Sequence, residues 1–286
     1  EDCYALHPIV LEFVREQINP ANKHVERIKR VFAEYILDYS TLYHNDFAKL
    51  DDHKQSLLHV LEQVFITDQY PTLQTQAVNT LSLLHPFFER CGLYANALTF
   101  LTYVTEHMTL PDTVMVEMLF QKGKLAKFLG KLDVALHTFK SALTIAQALE
   151  LHNRYGSLYN NMGDLLMQRA AYTEALQAFE NAEHWAKEIQ HLPLLYTVWS
   201  NVAGCYFYQG QFELAQSYYE KVAHHLGDEF DTLADIFKRI AQHNQNALGL
   251  NAIELGEYQK AISYFQRGLD LANQLNYQEQ TGYLYL

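Results

Sequence analysis

Apolar residues recur along this chain at steps of three and four, as in Leu57, Leu58, Leu61, Val64 and Phe65. That spacing stacks side chains on one face of a helix, and it holds almost throughout. Only 12 Gly and 6 Pro punctuate the 286 residues, so turn and strand signals are sparse. The pattern predicts an all-α chain. Cys3–Leu6 alone reads as a short strand, and His7-Pro8 after it opens a helix. Further helices are expected over 21–48 and 51–66. Leu73 to Leu84 begins another, and Pro86 inside it should end or kink it.

A longer period overlies the helical one. A Gly or small residue is followed by an aromatic or Leu two on, Ala five on, an aromatic or Leu nine on and a small residue twelve on. The copies are Gly92/Tyr94/Ala97/Leu101/Val104, Gly130/Leu132/Ala135/Phe139/Ala142 and Ala170/Tyr172/Ala175/Phe179/Ala182. Two more follow: Gly210/Phe212/Ala215/Tyr219/Val222 and Gly256/Tyr258/Ala261/Phe265/Gly268. Their first residues are 38, 40, 40 and 46 apart. The leading Gly lets the chain turn tightly between two helices. The Ala permits close helix approach, where a larger side chain would overpack. Upstream helices carry their own signature, such as Tyr159, Met162, Gly163 and Leu166, or Trp199, Val202, Ala203 and Tyr206.

These five copies resemble the tetratricopeptide repeat, a helix–turn–helix unit. The resemblance implies a right-handed superhelical solenoid over residues 77–286. Its usual unit is ~34 residues. The longer spacing here implies longer helices, like those of kinesin light chains and bacterial sensor proteins. The 46-residue step implies an enlarged second helix or loop around His224–Asp231. Residues 282–286 look like the opening of a sixth repeat cut off in its first turn. Their apolar character is the opposite of a polar cap, which points to a piece of a longer chain.

The N-terminal segment does not repeat. The order Tyr4-x-Leu6-His7-Pro8-x-x-x-x-Phe13 resembles the end of the winged-helix subdomain in NB-ARC-type ATPases of the STAND class, the signal-transducing ATPases with numerous domains. A helix with Tyr35 to Tyr43, an acidic-then-leucine helix from Asp51 to Leu61, and the phrase from Pro86 to Ala97 follow in that class's order. The implied layout is a winged-helix-like tail at 1–18, a helical linker or capping region at 19–76 and repeats at 77–286. No Gly-x-x-x-x-Gly-Lys-Ser/Thr phosphate loop occurs in the sequence. The nucleotide-binding module would therefore lie upstream of residue 1.

Composition narrows the function classes. Asp+Glu number 33 against 21 Lys+Arg, a formal net charge of -12, which disfavours nucleic acid as partner. No apolar run approaches the ~18 residues of a membrane span. Cys3, Cys91 and Cys205 are far apart and read as reduced cytoplasmic thiols rather than a disulfide frame. The fourteen His form no metal-ligand spacing, and no nucleophile elbow is present. No catalytic, metal or cofactor-binding residues are expected.

What the repeat does not use for packing is the inner face of each first helix. In the resembled family that face holds peptides. Projection gives Phe120, Gln121, Lys124, Lys127 and Phe128, then Asn160, Asn161, Asp164, Met167 and Gln168. The next copies give Ser200, Asn201, Phe207 and Tyr208, then His243, Asn246, Leu250 and Glu254. Asn161 and Asn201 share one repeat position. An Asn amide offers donors and an acceptor together and suits the backbone of an extended peptide. Lys124, Lys127 and Lys131 follow a helical step and suit an acidic group. The expected binding set is Gln121, Lys124, Lys127, Phe128, Asn160, Asn161, Asp164, Asn201, Tyr208 and Asn246. The expected role is the ligand-sensing part of a STAND regulator. The alternative is a free-standing repeat adaptor, or a regulator like the peptide-pheromone receptors.

Overall fold

The structure is a computed structural model that describes residues 23–227 and 234–275. The strand reading at Cys3–Leu6, the tail at 1–18 and the sixth-repeat opening at 282–286 lie outside the described residues. Among the described residues there are fourteen α-helices and no strand. They are α1 (Lys23–Leu42), α2 (Phe47–Asp52), α3 (Lys54–Phe65), α4 (Gln74–Leu83), α5 (His85–Arg90), α6 (Tyr94–His107) and α7 (Asp112–Phe128). Then come α8 (Leu132–Ala148), α9 (His152–Gln168), α10 (Tyr172–Glu188), α11 (Leu192–Tyr208), α12 (Phe212–Leu226), α13 (Asp235–Glu254) and α14 (Tyr258–Gln274). The chain divides into two compact units, Glu1–Leu110 and Pro111–Leu286.

The first unit buries Ile36 and Leu37 of α1 with Leu57, Leu61 and Val64 of α3 and Ala77 and Leu81 of α4. The helix expected over 21–48 stops at Leu42. Asp46 opens α2 instead, its carboxylate accepting from the Lys49 N–H at 3.3 Å. A short acidic side chain that satisfies a free N–H competes with helix continuation and favours a new start. His53 likewise divides the helix expected at 51–66 into α2 and α3. Pro86 sits in the first turn of α5, where its missing N–H forfeits no helix bond.

The second unit is a solenoid of four helix pairs, α7–α8, α9–α10, α11–α12 and α13–α14. Connections of three residues leave the paired helices no choice but to run antiparallel. Gly130, Ala170, Gly210 and Gly256 at these corners have φ of 71°, 57°, 73° and 74°. Each closes the same two bonds, as where Gly130 N–H donates to Lys127 O (3.0 Å) and Lys131 N–H to Ala126 O (2.8 Å). This satisfies the last carbonyls of the outgoing helix. The corners between repeats reuse the motif at Glu150 (φ 52°) and Gln190 (φ 53°), where no Gly marks the turn.

Within a pair, an aromatic on the second helix lies on a small residue sixteen positions earlier on the first. A Cβ added at Gly123, Gly163 or Gly249 would stand 2.5, 2.6 and 2.6 Å from the rings of Phe139, Phe179 and Phe265. The fourth member joins Ala203 to Tyr219 in one buried cluster. Ala135, Ala175 and Ala215 are fully buried, as their repeat position requires.

The 46-residue step is absorbed in the connection after Gly227 and at the start of α13, which has 20 residues against 17 in α9 and α11. The second helix α12 is not enlarged; it has 15 residues. Polar side chains set the register of α13. Asn244 donates to the Tyr219 carbonyl at 2.9 Å and Asn251 to the Phe212 carbonyl at 3.0 Å. Both donors and both acceptors are seven residues apart, two turns on each of two antiparallel helices.

Candidate functional site

The first helices α7, α9, α11 and α13 each present one face that their own partner helix does not cover. Between α11 and α13, with Met167 of α9 at one edge, this face opens into a cleft of about 430 Å³. Met167, Phe207, Tyr208, Ile240, Ala247 and Leu250 form its apolar walls. Thr197, Ser200, Asn201, Gly204, Tyr219 and His243 complete the lining. Not one lining residue is Asp, Glu, Lys or Arg, although the chain carries 54 of them in total (21 + 33). A second depression at the ends of α9 and α11 shares Met167 and Tyr208 and adds Asp164, Gln168 and Tyr172.

The polar groups of the cleft divide into engaged and open. Thr197 and Ser200 hydroxyls donate back into α11, to Pro193 O (2.8 Å) and Tyr196 O (3.1 Å). Asn201 donates its amide to Asn160 Oδ1 at 2.9 Å, which leaves Asn201 Oδ1 without a partner among the described residues. Tyr219 is only 5% exposed, and burial pushes its phenol far above the usual range. It therefore stays protonated, and its hydroxyl has no hydrogen-bond partner among the described residues. His243 keeps an exposed outer edge, yet the loss of water around its ring pushes it below the ordinary histidine value. It is neutral at pH 7 and offers one donor and one acceptor.

Two of the charged residues expected in the site, Lys127 and Asp164, lie elsewhere on the same face and face each other. Lys127 Nζ reaches Asp164 Oδ2 at 2.7 Å and Asn161 Oδ1 at 3.0 Å. Asn161 Nδ2 donates to Ser157 O at 2.9 Å. An acidic ligand group approaching Lys127 would thus compete with Asp164. Gln121 is buried and donates to Glu117 at 3.0 Å. Lys124 is half-buried. Phe128 is 64% exposed at the end of α7 and lines neither depression. Asn246 turns away from the cleft: its Oδ1 occupies the space beside Gly268 of α14, 2.4 Å from where a Cβ there would stand. On α13, Ile240, His243, Ala247 and Leu250, at helical steps from one another, line the cleft instead.

The structure thus brings Asn160 to Asn201, Lys127 to Asn161 and Asp164, and Tyr208 to the cleft. It adds Thr197, Gly204, Tyr219, Ile240 and Ala247, which inner-face projection missed. Tyr219 belongs to a second helix and reaches the cleft from beneath. Gly204 had a visible signal. It stands six residues before its corner, where the other repeats carry Lys124, Asp164 and Leu250.

A family model for the tetratricopeptide repeat matches residues 116–148, 149–181, 196–223 and 243–275. Each segment falls on one of the four helix pairs of the second unit. The solenoid is built of tetratricopeptide repeats. The copy with its corner at Gly92 falls outside the matched residues. Tetratricopeptide repeats are in general non-catalytic scaffolds for protein interaction. No curated protein sequence matches the chain. Among solved structures, a STAND protein with a tetratricopeptide-repeat sensor from Pyrococcus horikoshii is 17% identical with a TM-score of 0.58. That likeness covers 98% of this chain and 44% of that one, so the chain spans less than half of that ATPase. BtubC from P. vanneervenii is 16% identical with a TM-score of 0.56, over 85% of this chain and 92% of its own. The tetratricopeptide-like repeats of a putative kinesin light chain from Podosopora anserina are 13% identical with a TM-score of 0.53, over 70% and 97%. At these identities the likeness is one of fold. Among the described residues no helix is long and apolar enough to cross a membrane, and no three His, Cys, Asp or Glu gather as a metal would need.

Proposed function

We propose that the face formed by α7, α9, α11 and α13 captures an extended segment of a peptide or protein, and that this capture is the sensing step of a STAND-type regulator. The observation that carries the binding reading is the cleft between α11 and α13: concave, apolar-walled, with a few convergent polar groups left open, the usual make-up of a recognition site. Neighbouring repeats extend the same face, so a segment crossing the cleft meets Asn160, Asn161 and the Lys127–Asp164 pair next. In support of the sensor role, the fold likeness to the Pyrococcus horikoshii ATPase runs over nearly the whole chain. In such a protein, ligand held by the repeats would relieve an inhibited ATPase and permit oligomerisation.

A random dodecapeptide library displayed on phage tests the binding reading. Peptides enriched on this chain should bind Asn201→Ala and Tyr208→Ala variants roughly 5- to 30-fold more weakly by calorimetry, the effect of losing about 1–2 kcal/mol at a contact. Unchanged affinity for both variants overturns the assignment to this face. The adaptor alternative is separated by the source transcript: a phosphate loop encoded upstream of Glu1 supports the sensor role, and an initiation codon near residue 1 supports the adaptor.

A further inference from the structure

Gly204 sits in the interior of α11, four residues from its end. Glycine there loses more backbone freedom than alanine and weakens the helix. The other first-helix glycines of the array are explained by packing: a Cβ at Gly123, Gly163 or Gly249 would strike a ring at 2.5–2.6 Å, and one at Gly156 would stand 2.8 Å from the Leu194 side chain. Gly204 is different. A Cβ there would meet nothing nearer than Met167 Sδ at 3.5 Å and the Tyr219 hydroxyl at 3.9 Å, ordinary contact distances. The position is occupied by Lys124, Asp164 and Leu250 in the sibling repeats. The missing side chain is therefore not demanded by the fold, and its absence is what gives the cleft its depth. Beneath the opening stands the Tyr219 hydroxyl, which has no hydrogen-bond partner among the described residues.

We infer that Gly204 is a specificity-determining residue, and that the space above it receives one bulky uncharged side chain, of the leucine, methionine or phenylalanine class, from the captured segment. The inference rests on the segment-capture reading and names its anchor. The lining contains no charged side chain, so a buried Asp, Glu, Lys or Arg of the ligand would lose its hydration without gaining a counter-charge. Met167, Phe207 and Leu250 supply apolar contact, and Met167 adapts its flexible thioether to the shape it meets. The open Asn201 Oδ1 accepts from a backbone N–H beside the anchor. The Tyr219 hydroxyl donates to a carbonyl of the same segment.

The test uses blocked single residues as probes and the five methionine methyl groups as reporters in carbon-13 spectra of the full chain. N-acetyl-leucinamide and N-acetyl-phenylalaninamide should shift the Met167 methyl with millimolar affinity, the range for a probe of about a dozen heavy atoms. The glutamate and lysine counterparts should leave it in place. Gly204→Ala should raise the melting temperature and weaken the apolar probes about threefold or more, the scale of one displaced methylene contact. Gly204→Leu should abolish the shift, and if that variant does not fold, the alanine variant carries the test. Gly163→Ala is the control and should lower the melting temperature through Phe179.

Three results overturn the inference: a destabilised Gly204→Ala, apolar probes that bind Gly204→Leu as they bind the parent chain, or charged probes that bind equally well. Apolar probes that obey the pattern while no library peptide is enriched would instead overturn segment capture and leave the cleft's chemistry standing. Library peptides that need Asn201 but are indifferent to Gly204→Leu would do the reverse.

Discussion

At the residue scale, one substitution within a repeated motif measures what the motif demands. Four corners of the solenoid require a left-handed residue, and three are Gly while the fourth is Ala170 at φ 57°. Its hydrogen bonds are those of its siblings, Ala170 N–H to Met167 O at 2.9 Å and Ala171 N–H to Leu166 O at 2.9 Å. The alanine thus holds the same geometry against the steric preference of its Cβ. Ala170→Gly relieves that clash and should raise stability by about 0.5–1 kcal/mol in urea unfolding, offset in part by glycine's freer unfolded state. A fall in the unfolding midpoint would show that Cβ contacts at the corner outweigh the strain. The sequence displayed the corner, because spacing placed Ala170 in register with three glycines. It could not display that Glu150 and Gln190 adopt the same conformation, since polar side chains there look like any exposed helix end.

At the element scale, α10, α11 and α12 meet around one carboxylate. Trp199 Nε1 and Lys187 Nζ each reach Glu183 Oε1 at 2.8 Å, and Lys221 stands 4.0 Å away with its Nζ 3.7 Å above the Trp199 ring. Burial alone would raise the Glu183 carboxyl, but the hydrogen bonds from Lys187 and Trp199 and the two cations together hold it below the usual carboxylate value. A carboxyl depressed on folding contributes stability that is complete above its unfolded value of 4.5. That contribution is lost as pH falls below 4.5 through the folded value. Thermal melts should therefore show the parent chain losing more stability than Glu183→Gln between about pH 5 and pH 3. Parallel pH profiles would remove Glu183 from the account. Helix pairing was legible in the sequence through the small and aromatic positions. Trp199 was readable as a packing residue, while its link to Glu183 sixteen residues upstream was not, because that bond depends on how neighbouring repeats stack.

At the scale of the whole molecule, the repeats from Pro111 onward bury each other through neighbours alone, so stability along the array is set by what flanks each helix. Among the described residues α14 has one flanking helix, and Tyr258 (65% exposed) and Ile262 (51% exposed) stand open on it. Amide hydrogen exchange should find α9–α12 slowest and α14 fastest within this unit, with opening free energies that fall toward residue 274. Uniform protection across α9–α14 would contradict nearest-neighbour stacking. The sequence by itself determined the helical class, the repeat and its corners. All are local or fixed by one recurring spacing, and the chain states that spacing five times. Tertiary structure alone decided what the inner face offers. Whether Lys127 waits for a ligand or is held by Asp164, and whether Asn246 looks into the cleft or toward Gly268, depends on the pose of one repeat against the next. So does the place of Gly204: an ordinary weak helix residue in the sequence, it becomes the floor of the cleft between α11 and α13 only because no neighbouring helix fills the space that its absent side chain leaves.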